Sequence, residues 1–288
     1  MRWINKFNLP DPVVKAVQRD NYNPGKSDVT VTRLVLPPRV AVLQEIHREH
    51  IVEDISDGFF RMLGKCVHKL LEENDADTDA IVERRLYSAE RLQGLIVSGQ
   101  LDRYELKTHT IQDYKFTTCY SAQNGAKSEW VGQLNLLALL ARENGFPVEN
   151  LELILLLRDY SKTQGERTPN YPPSPVLRVP VELFSEEKAE WYLNSRLQAY
   201  ISAKSNLPVC SPEDQWRRPA VFAVLKPGGK RAVRLFDSEE EACAYAEAAG
   251  SNLSVQKRCG TSIRCESYCS VAPWCDQYQR EKASAVEE

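Results

Sequence analysis

A chain of 288 residues with 42% hydrophobic content has enough apolar side chains to bury a full core, which excludes a disordered or fibrous protein. Its formal net charge of −3 excludes a uniformly basic nucleic-acid binder but leaves room for a local basic groove around an acidic metal site. The segment Met1 to Lys6 has no extended apolar stretch, and the longest apolar run, Leu153 to Leu157, is far below the ~18 residues of a membrane span. These features predict a soluble, cytoplasmic protein with no membrane partner.

Residues 1–40 read as a mostly irregular lead with turn signals at Asn23-Pro24-Gly25 and Pro37-Pro38. Val40 to His50 has helical periodicity. A second helix is predicted from Asp57 to Glu73, where Phe60, Leu63, Val67, Leu70 and Leu71 recur at spacings of three and four and should form a buried stripe, with Gly64 and His68 four apart on its surface. Strand-like stretches follow at Ile81 to Ala89, Gly94 to Leu106 and Thr110 to Thr117. Ser128 to Glu143 is a helix apolar nearly all round, hence central, and Asn144-Gly145-Phe146-Pro147 stops it. Leu151 to Arg158 is a buried strand. This order of elements predicts an α/β sandwich with a mixed central sheet flanked by helices.

Beyond that core, Tyr160 to Pro180 is polar and rich in proline, and reads as a connector. Glu182 to Ser205 resumes as a helix. Cys210 to Val255 reads as hairpin strands around Pro227-Gly228-Gly229, a helix over Ser238 to Ala249 and a short strand. The expected domains are 1–207, a core with an N-terminal helical lead, and 208–288, a small α/β insertion with a cysteine-rich cap. The charged tail after Gln277 reads as a helix end fraying into solvent.

Four of the eight cysteines, Cys259, Cys265, Cys269 and Cys275, crowd into the last thirty residues. In a long chain with no export signal, thiolates this close in sequence suit metal or cluster ligation better than disulfides. Cys119 and Cys243 read as ordinary buried thiols.

The polar residues set into apolar segments are His68, Asp102, Asp113, Lys115 and Gln133. Asp113 and Lys115 lie two apart in Ile111-Gln112-Asp113-Tyr114-Lys115, so they share one face of a strand, where an acid and an amine can hold a metal ion and steer a water. Each has a plain alternative. Asp102 could pair with Arg103 or Lys115. Asp113 and Lys115 could be alternating charges on an edge strand, His68 a structural histidine, and Gln133 a satisfied core amide. Their joint order across helix, strand, strand and helix distinguishes the set.

The stretch Gly64-Lys65-Cys66-Val67-His68 resembles the Gly-x-x-x-His helix of RecB-type nucleases in the PD-(D/E)XK superfamily. Gly99-Gln100-Leu101-Asp102 resembles their metal-binding aspartate strand, Asp113-Tyr114-Lys115 their (D/E)-x-K strand, and Gln133-Leu134-Asn135-Leu136-Leu137 their glutamine helix. The terminal Cys265, Cys269 and Cys275 are similar to the cysteine cap of the subset that includes AddB and the CRISPR-associated adaptation nucleases, where an iron–sulfur cluster fastens the chain end. Together these motifs span residues 57 to 276 and also resemble phage-encoded exonuclease-like proteins, including Leu157-Arg158-Asp159-Tyr160. Two departures stand out. Leu137 occupies the position of the family's tyrosine, and no upstream cysteine precedes the histidine helix, which leaves Cys210, slightly favoured, or Cys259 as the fourth ligand.

The resemblance implies a restriction-endonuclease-like core and a Mg2+- or Mn2+-dependent deoxyribonuclease. Its role would be that of an exonuclease in recombination, repair or phage DNA processing, in a bacterial cytoplasm or phage-encoded. Asp102, Asp113, Lys115 and Gln133 would be catalytic, and His68, Asp102, Asp113 and the Tyr114 carbonyl would hold the metal. The cysteines would hold a [4Fe-4S] cluster, with structural Zn2+ as the alternative. Expected partners are DNA, a helicase, recombinase or phage replication protein, and further copies in a homo-oligomer. The rival reading is a non-cleaving nucleic-acid binder on the same fold. A zinc-ribbon-like interaction protein with surface salt bridges is the third.

Overall fold

The computed structural model describes residues 2–19, 23, 25–75, 79–250 and 252–287, with side chains to residue 283. Pro24, in the middle of an expected turn, lies outside the described residues. The chain divides into two units, Met1–Val42 with Val52–Leu207, and Leu43–Ile51 with Pro208–Glu288.

The first unit begins with β1 (Arg2–Ile4), α1 (Asp11–Gln18), β2 (Val29–Thr30), α2 (Val31–Leu34) and the start of α3 (Pro38–Ile46). Over its described residues the lead is therefore structured rather than mostly irregular. Its strands are two or three residues long and form by pairing with distant partners, β1 with β3 (Val52–Asp54) and β2 with β5 (Ile96–Glu105), which local sequence cannot signal. Next come α4 (Ile55–Asn74), β4 (Ala80–Glu90), β5 (Ile96–Glu105), β6 (Thr110–Thr117), α5 (Cys119–Gln123) and α6 (Ser128–Glu143). The unit closes with β7 (Asn150–Leu157), α7 (Lys162–Gly165), β8 (Val176–Val181) and α8 (Glu186–Ala203). The stripe expected to be buried on α4 is exposed at Phe60 and Leu70 and half-buried at Leu63, Val67 and Leu71, because the helix is buried near its start instead, at Ile55 and Gly58.

These strands form a mixed central sheet flanked by helices. Its order is β2-β5-β6-β7-β8, with β4 also paired to β5. β8 lies inside the proline-rich stretch expected to be a connector. It runs antiparallel to β7 at the sheet edge, where Pro180 lacks an N–H without breaking a central ladder. The apolar α6 packs on the sheet through Leu134, Leu137 and Leu140, each 1% exposed or less. Gly99 on β5 makes this approach possible, because a Cβ there would overlap Leu137 Cδ2.

β5 is not paired along the whole of both edges among the described residues. β4 occupies one edge of β5 along most of its length. The other edge is shared, by β2 at Val97–Ser98 and by β6 at Arg103–Glu105. Between those two partners the edge is open from Gly99 to Asp102.

In the second unit, β9 (Arg217–Arg218) pairs with β13 (Thr261–Ser262). The expected hairpin, helix and strand are β10 (Val221–Leu225), β11 (Ala232–Phe236), α9 (Glu239–Ala249) and β12 (Ser254–Arg258), with the antiparallel order β11-β10-β12. The chain continues through α10 (Ile263–Ser267) to α11 (Asp276–Glu287). The segment Leu43–Ile51 joins this unit, with His47 stacked flat on Trp274 at 4.8 Å. No helix among the described residues is long and apolar enough to cross a membrane.

Candidate metal centre

Three donor side chains converge at the open edge of β5. His68, Glu83 and Asp102 each offer a ligand atom within 4.8 Å of the others. His68 Nδ1 lies 3.5 Å from Asp102 Oδ1 and 3.8 Å from Glu83 Oε1, and His68 Nε2 lies 3.1 Å from the Tyr114 carbonyl oxygen. Burial works against a charged His68, but the Asp102 and Glu83 carboxylates outweigh it and push the imidazole up to about 10. A cation at this position is thus strongly favoured by its surroundings.

Each donor has a local reason to be there. α4 starts at Asp54, whose side chain accepts the Ser56 amide at 3.0 Å and the Lys6 amide at 2.9 Å, fixing the N-terminus of the helix that carries His68. Asp102 sits where β5 loses its partner. Its Oδ2 accepts the Tyr114 N–H at 2.8 Å, in place of a ladder carbonyl. Glu83 on β4 lies opposite Asp102, between the registered pairs Val82–Arg103 and Arg84–Leu101. Its φ is 49°, a conformation that costs a glutamate of order 1–3 kcal/mol. Gln100 donates to Glu83 Oε2, and Arg85 in turn donates to Gln100 Oε1 at 2.8 Å, so a second layer of side chains holds the carboxylate in place.

Beside these donors, Lys115 Nζ lies 2.5 Å from Asp113 Oδ2 and donates to Gln133 Oε1 at 3.1 Å. Asp113 is buried, and burial pushes its carboxyl up to about 6 against the opposing pull of Lys115. Lys115 reaches α6, while His68 meets Tyr114 edge-on at 5.7 Å and Gly64 abuts Phe116. Alternation along β6 therefore puts α4 and α6 on opposite faces of the strand.

The structure thus brings His68, Asp102 and the Tyr114 carbonyl into one group, and Asp113, Lys115 and Gln133 into an adjoining one. Asp113 has Lys115 as its close partner and is not among the three mutually close donors. Asp102 pairs with neither Arg103 nor Lys115 among the described residues. Arg103 is engaged with Asp75 at 2.7 Å and Gln112 at 2.9 Å. Sequence alone does not single out Glu83, because an acid among basic residues in a strand looks like ordinary alternation. Leu137 is 1% exposed and packs on Gly99, so its position is part of the core.

In the second unit, among the described residues, the cysteines are all thiols without disulfides. Cys243, expected to be buried, is exposed, because α9 buries the neighbouring Ala242 instead; Cys119, in the first unit, is buried as expected. Burial, with Cys269 and Cys275 nearby, pushes the Cys265 thiol up to about 11. Cys210 adjoins this run. Its N–H donates to Gln277 Oε1 at 2.7 Å, and Gln277 Nε2 donates to the Cys210 carbonyl at 3.0 Å. Cys275 is buried, Cys210, Cys265 and Cys269 are half-buried, and Cys259 is exposed in a cleft with Arg217, Lys257 and Lys282.

No family model matches the chain, and no curated protein matches it. Among solved structures, the crystal structure of SSO0001 is similar at 16% identity with a TM-score of 0.47, over 65% of this chain and 83% of that one. A likeness at that level carries no argument about activity.

Proposed function

We propose that the first unit is a Mg2+- or Mn2+-dependent deoxyribonuclease, acting as an exonuclease in recombination, repair or phage DNA processing. The observation that carries this reading is the set of three donors, His68, Glu83 and Asp102, within 4.8 Å of one another and next to the Asp113, Lys115 and Gln133 group. One imidazole and two carboxylates suit Mn2+ and Mg2+, and the two like-charged carboxylates facing each other fit a divalent cation between them. When bound, such an ion supplies polarisation of a phosphate and a more acidic water. The Tyr114 carbonyl adds a further oxygen beside His68.

Hydrolysis adds water across a phosphodiester. The water oxygen bonds to phosphorus, the ester P–O bond breaks, one proton goes to the departing alkoxide and the other to solvent. Lys115, held by Asp113 and Gln133, would orient the water and offset negative charge developing on the phosphate. Gln133 would fix the Lys115 amine in that position. Release of nucleotides from linear DNA in Mn2+, abolished by EDTA and by Lys115→Ala, tests the reading.

A second reading has one observation in its favour. A protonated His68 alone satisfies Glu83 and Asp102 as an ion-paired trio, which suits a DNA-binding protein that does not cleave. Binding of DNA in EDTA with no turnover in any metal selects it.

For the second unit we infer a [4Fe-4S] cluster on Cys210, Cys265, Cys269 and Cys275, with structural Zn2+ as the alternative. The paired Cys210–Gln277 hydrogen bonds support Cys210 as the fourth ligand over the exposed Cys259.

A further inference from the structure

The face of α4 that carries His68 continues toward the helix N-terminus as a lane of unusual composition. Phe60, Gly64 and His68 stand four residues apart and so lie on one face, with ~12 Å of helix rise from first to last. His68 is the chemical end. In the middle, Gly64 has, among the described residues, only Phe116 Cβ within 4 Å of the position its own Cβ would occupy, at 3.7 Å, so this stretch is open. At the far end Phe60 is 49% exposed, with the Phe59 ring edge-on to its own at 5.7 Å.

Phe60 carries a cation. The Arg158 guanidinium lies 3.9 Å from the centre of its ring. Arg158 immediately follows β7, and its backbone N–H donates to Thr117 O at 2.9 Å, so it is anchored where the parallel strands β6 and β7 both end. Ligands of α/β sheets bind at such carboxyl ends. Among the described residues no carboxylate pairs with Arg158, although its side chain is exposed. An exposed phenyl ring and an unneutralised guanidinium, held together beside a candidate phosphodiester site, match the two halves of a nucleotide.

We propose that Phe60 and Arg158 form a seat for an unpaired nucleotide of the DNA strand whose phosphodiester lies at His68, Glu83 and Asp102. This rests on the nuclease reading of that site and adds a substrate form to it. A base stacks on the Phe60 ring and Arg158 holds the adjoining phosphate, a combination that recurs where single strands are bound without sequence preference. The span from Phe60 to His68 accommodates roughly three to four steps at the ~3.4 Å rise of a stacked strand. A base in a duplex is stacked and paired, and cannot offer its face to Phe60. The seat therefore selects an unpaired end.

The test is fluorescence anisotropy with a labelled oligothymidylate and a blunt duplex, in EDTA so that no hydrolysis occurs, using the full chain. Phe60→Ala and Arg158→Ala are each expected to weaken single-strand binding by roughly tenfold. Phe60→Tyr restores it, and the duplex affinity changes by less than twofold. Both side chains are exposed, so the fold is expected to survive, and circular dichroism checks this.

Wild-type affinity for the single strand in Phe60→Ala, or an equal loss on the duplex, overturns the seat while leaving the nuclease reading intact if Mn2+-dependent cleavage persists. Wild-type protein that binds no oligonucleotide and cleaves none overturns both. If it instead self-associates by ultracentrifugation and Phe60→Ala is monomeric, the patch belongs to a second copy and the proposal fails.

Discussion

Asp102 Oδ2 accepts the backbone N–H of Tyr114 at 2.8 Å, while Asp102 Oδ1 lies 3.5 Å from His68 Nδ1. The carboxylate therefore does two things at the point where β5 and β6 separate. It replaces a missing backbone acceptor, and it presents an anion to the helix across the gap. Asp102→Asn keeps an acceptor oxygen for Tyr114 and loses the charge. The expected outcome is a melting temperature near that of wild type in metal-free buffer. Mn2+-dependent cleavage should fall at least as far as the 10- to 100-fold typical of residues that merely support metal ligands. Thermal denaturation and nucleotide release measure the two effects separately.

Glu83 offers a test of stored backbone strain. Alanine and glycine at this position both remove the carboxylate, so they differ chiefly in tolerance of the 49° φ. Glu83→Gly is expected to be more stable than Glu83→Ala by about 1 kcal/mol in urea titrations. Both variants should lose the rise in melting temperature that Mn2+ gives the wild type. Equal stability of the two would show that the backbone at this position stores no strain.

Lys115 and Asp113 are a largely buried ion pair, and removing one partner strands the other. Lys115→Met is expected to destabilise the fold by roughly 3 kcal/mol, and adding Asp113→Asn to recover most of the loss. Neither variant should cleave DNA. Urea midpoints of the two variants provide the comparison.

Much of this arrangement is legible in the sequence. The helices α4 and α6 and the strand β6 are long and strongly patterned; burial all round sets the pattern of α6, whereas the apolar stripe of α4 is exposed at Phe60 and Leu70. His68, Asp102, Asp113, Lys115 and Gln133 can be picked out because polar groups in apolar segments need a reason. Glu83 cannot, since its distinguishing feature is a backbone angle that glutamate seldom adopts. β8 is hidden by Pro180, which is tolerated only because the strand lies at the edge. β1 and β2 are too short to have a period, and they exist because β3 and β5 offer them ladders.

Glu152 on β7 gives a pH dependence away from the site. Burial raises its carboxyl, but the Arg178 guanidinium at 2.7 Å and the Gln112 amide at 2.9 Å outweigh it and hold the group below its ordinary value of 4.5. A value depressed by folding adds stability above the unfolded-state value and loses it as pH falls through the folded one. Glu152→Gln should therefore be less stable than wild type at neutral pH, with the gap closing in acid below about 4.5. The gap is small, because Arg178 is 68% exposed and solvent screens the pair. Urea midpoints across that range follow it, and a gap unchanged in acid contradicts the assignment.

The cysteine site separates by element. Anaerobically purified protein is expected to carry iron and sulfide in equal amounts with visible absorbance. Cys275→Ser should lose both, with a lower melting temperature, whereas Cys259→Ser should keep them. Stoichiometric zinc without iron assigns the site to a structural Zn2+, and iron lost in Cys259→Ser moves the fourth ligand from Cys210.

The most direct measurement is cleavage of end-labelled linear and closed circular DNA, single- and double-stranded, by wild type and Asp102→Asn in Mg2+, Mn2+ or EDTA. The expected result is loss of linear DNA only, in Mg2+ or Mn2+ and not in EDTA, and little or none with the variant. Intact DNA in every lane, or cleavage that neither EDTA nor Asp102→Asn reduces, contradicts a metal-dependent nuclease at His68, Glu83 and Asp102.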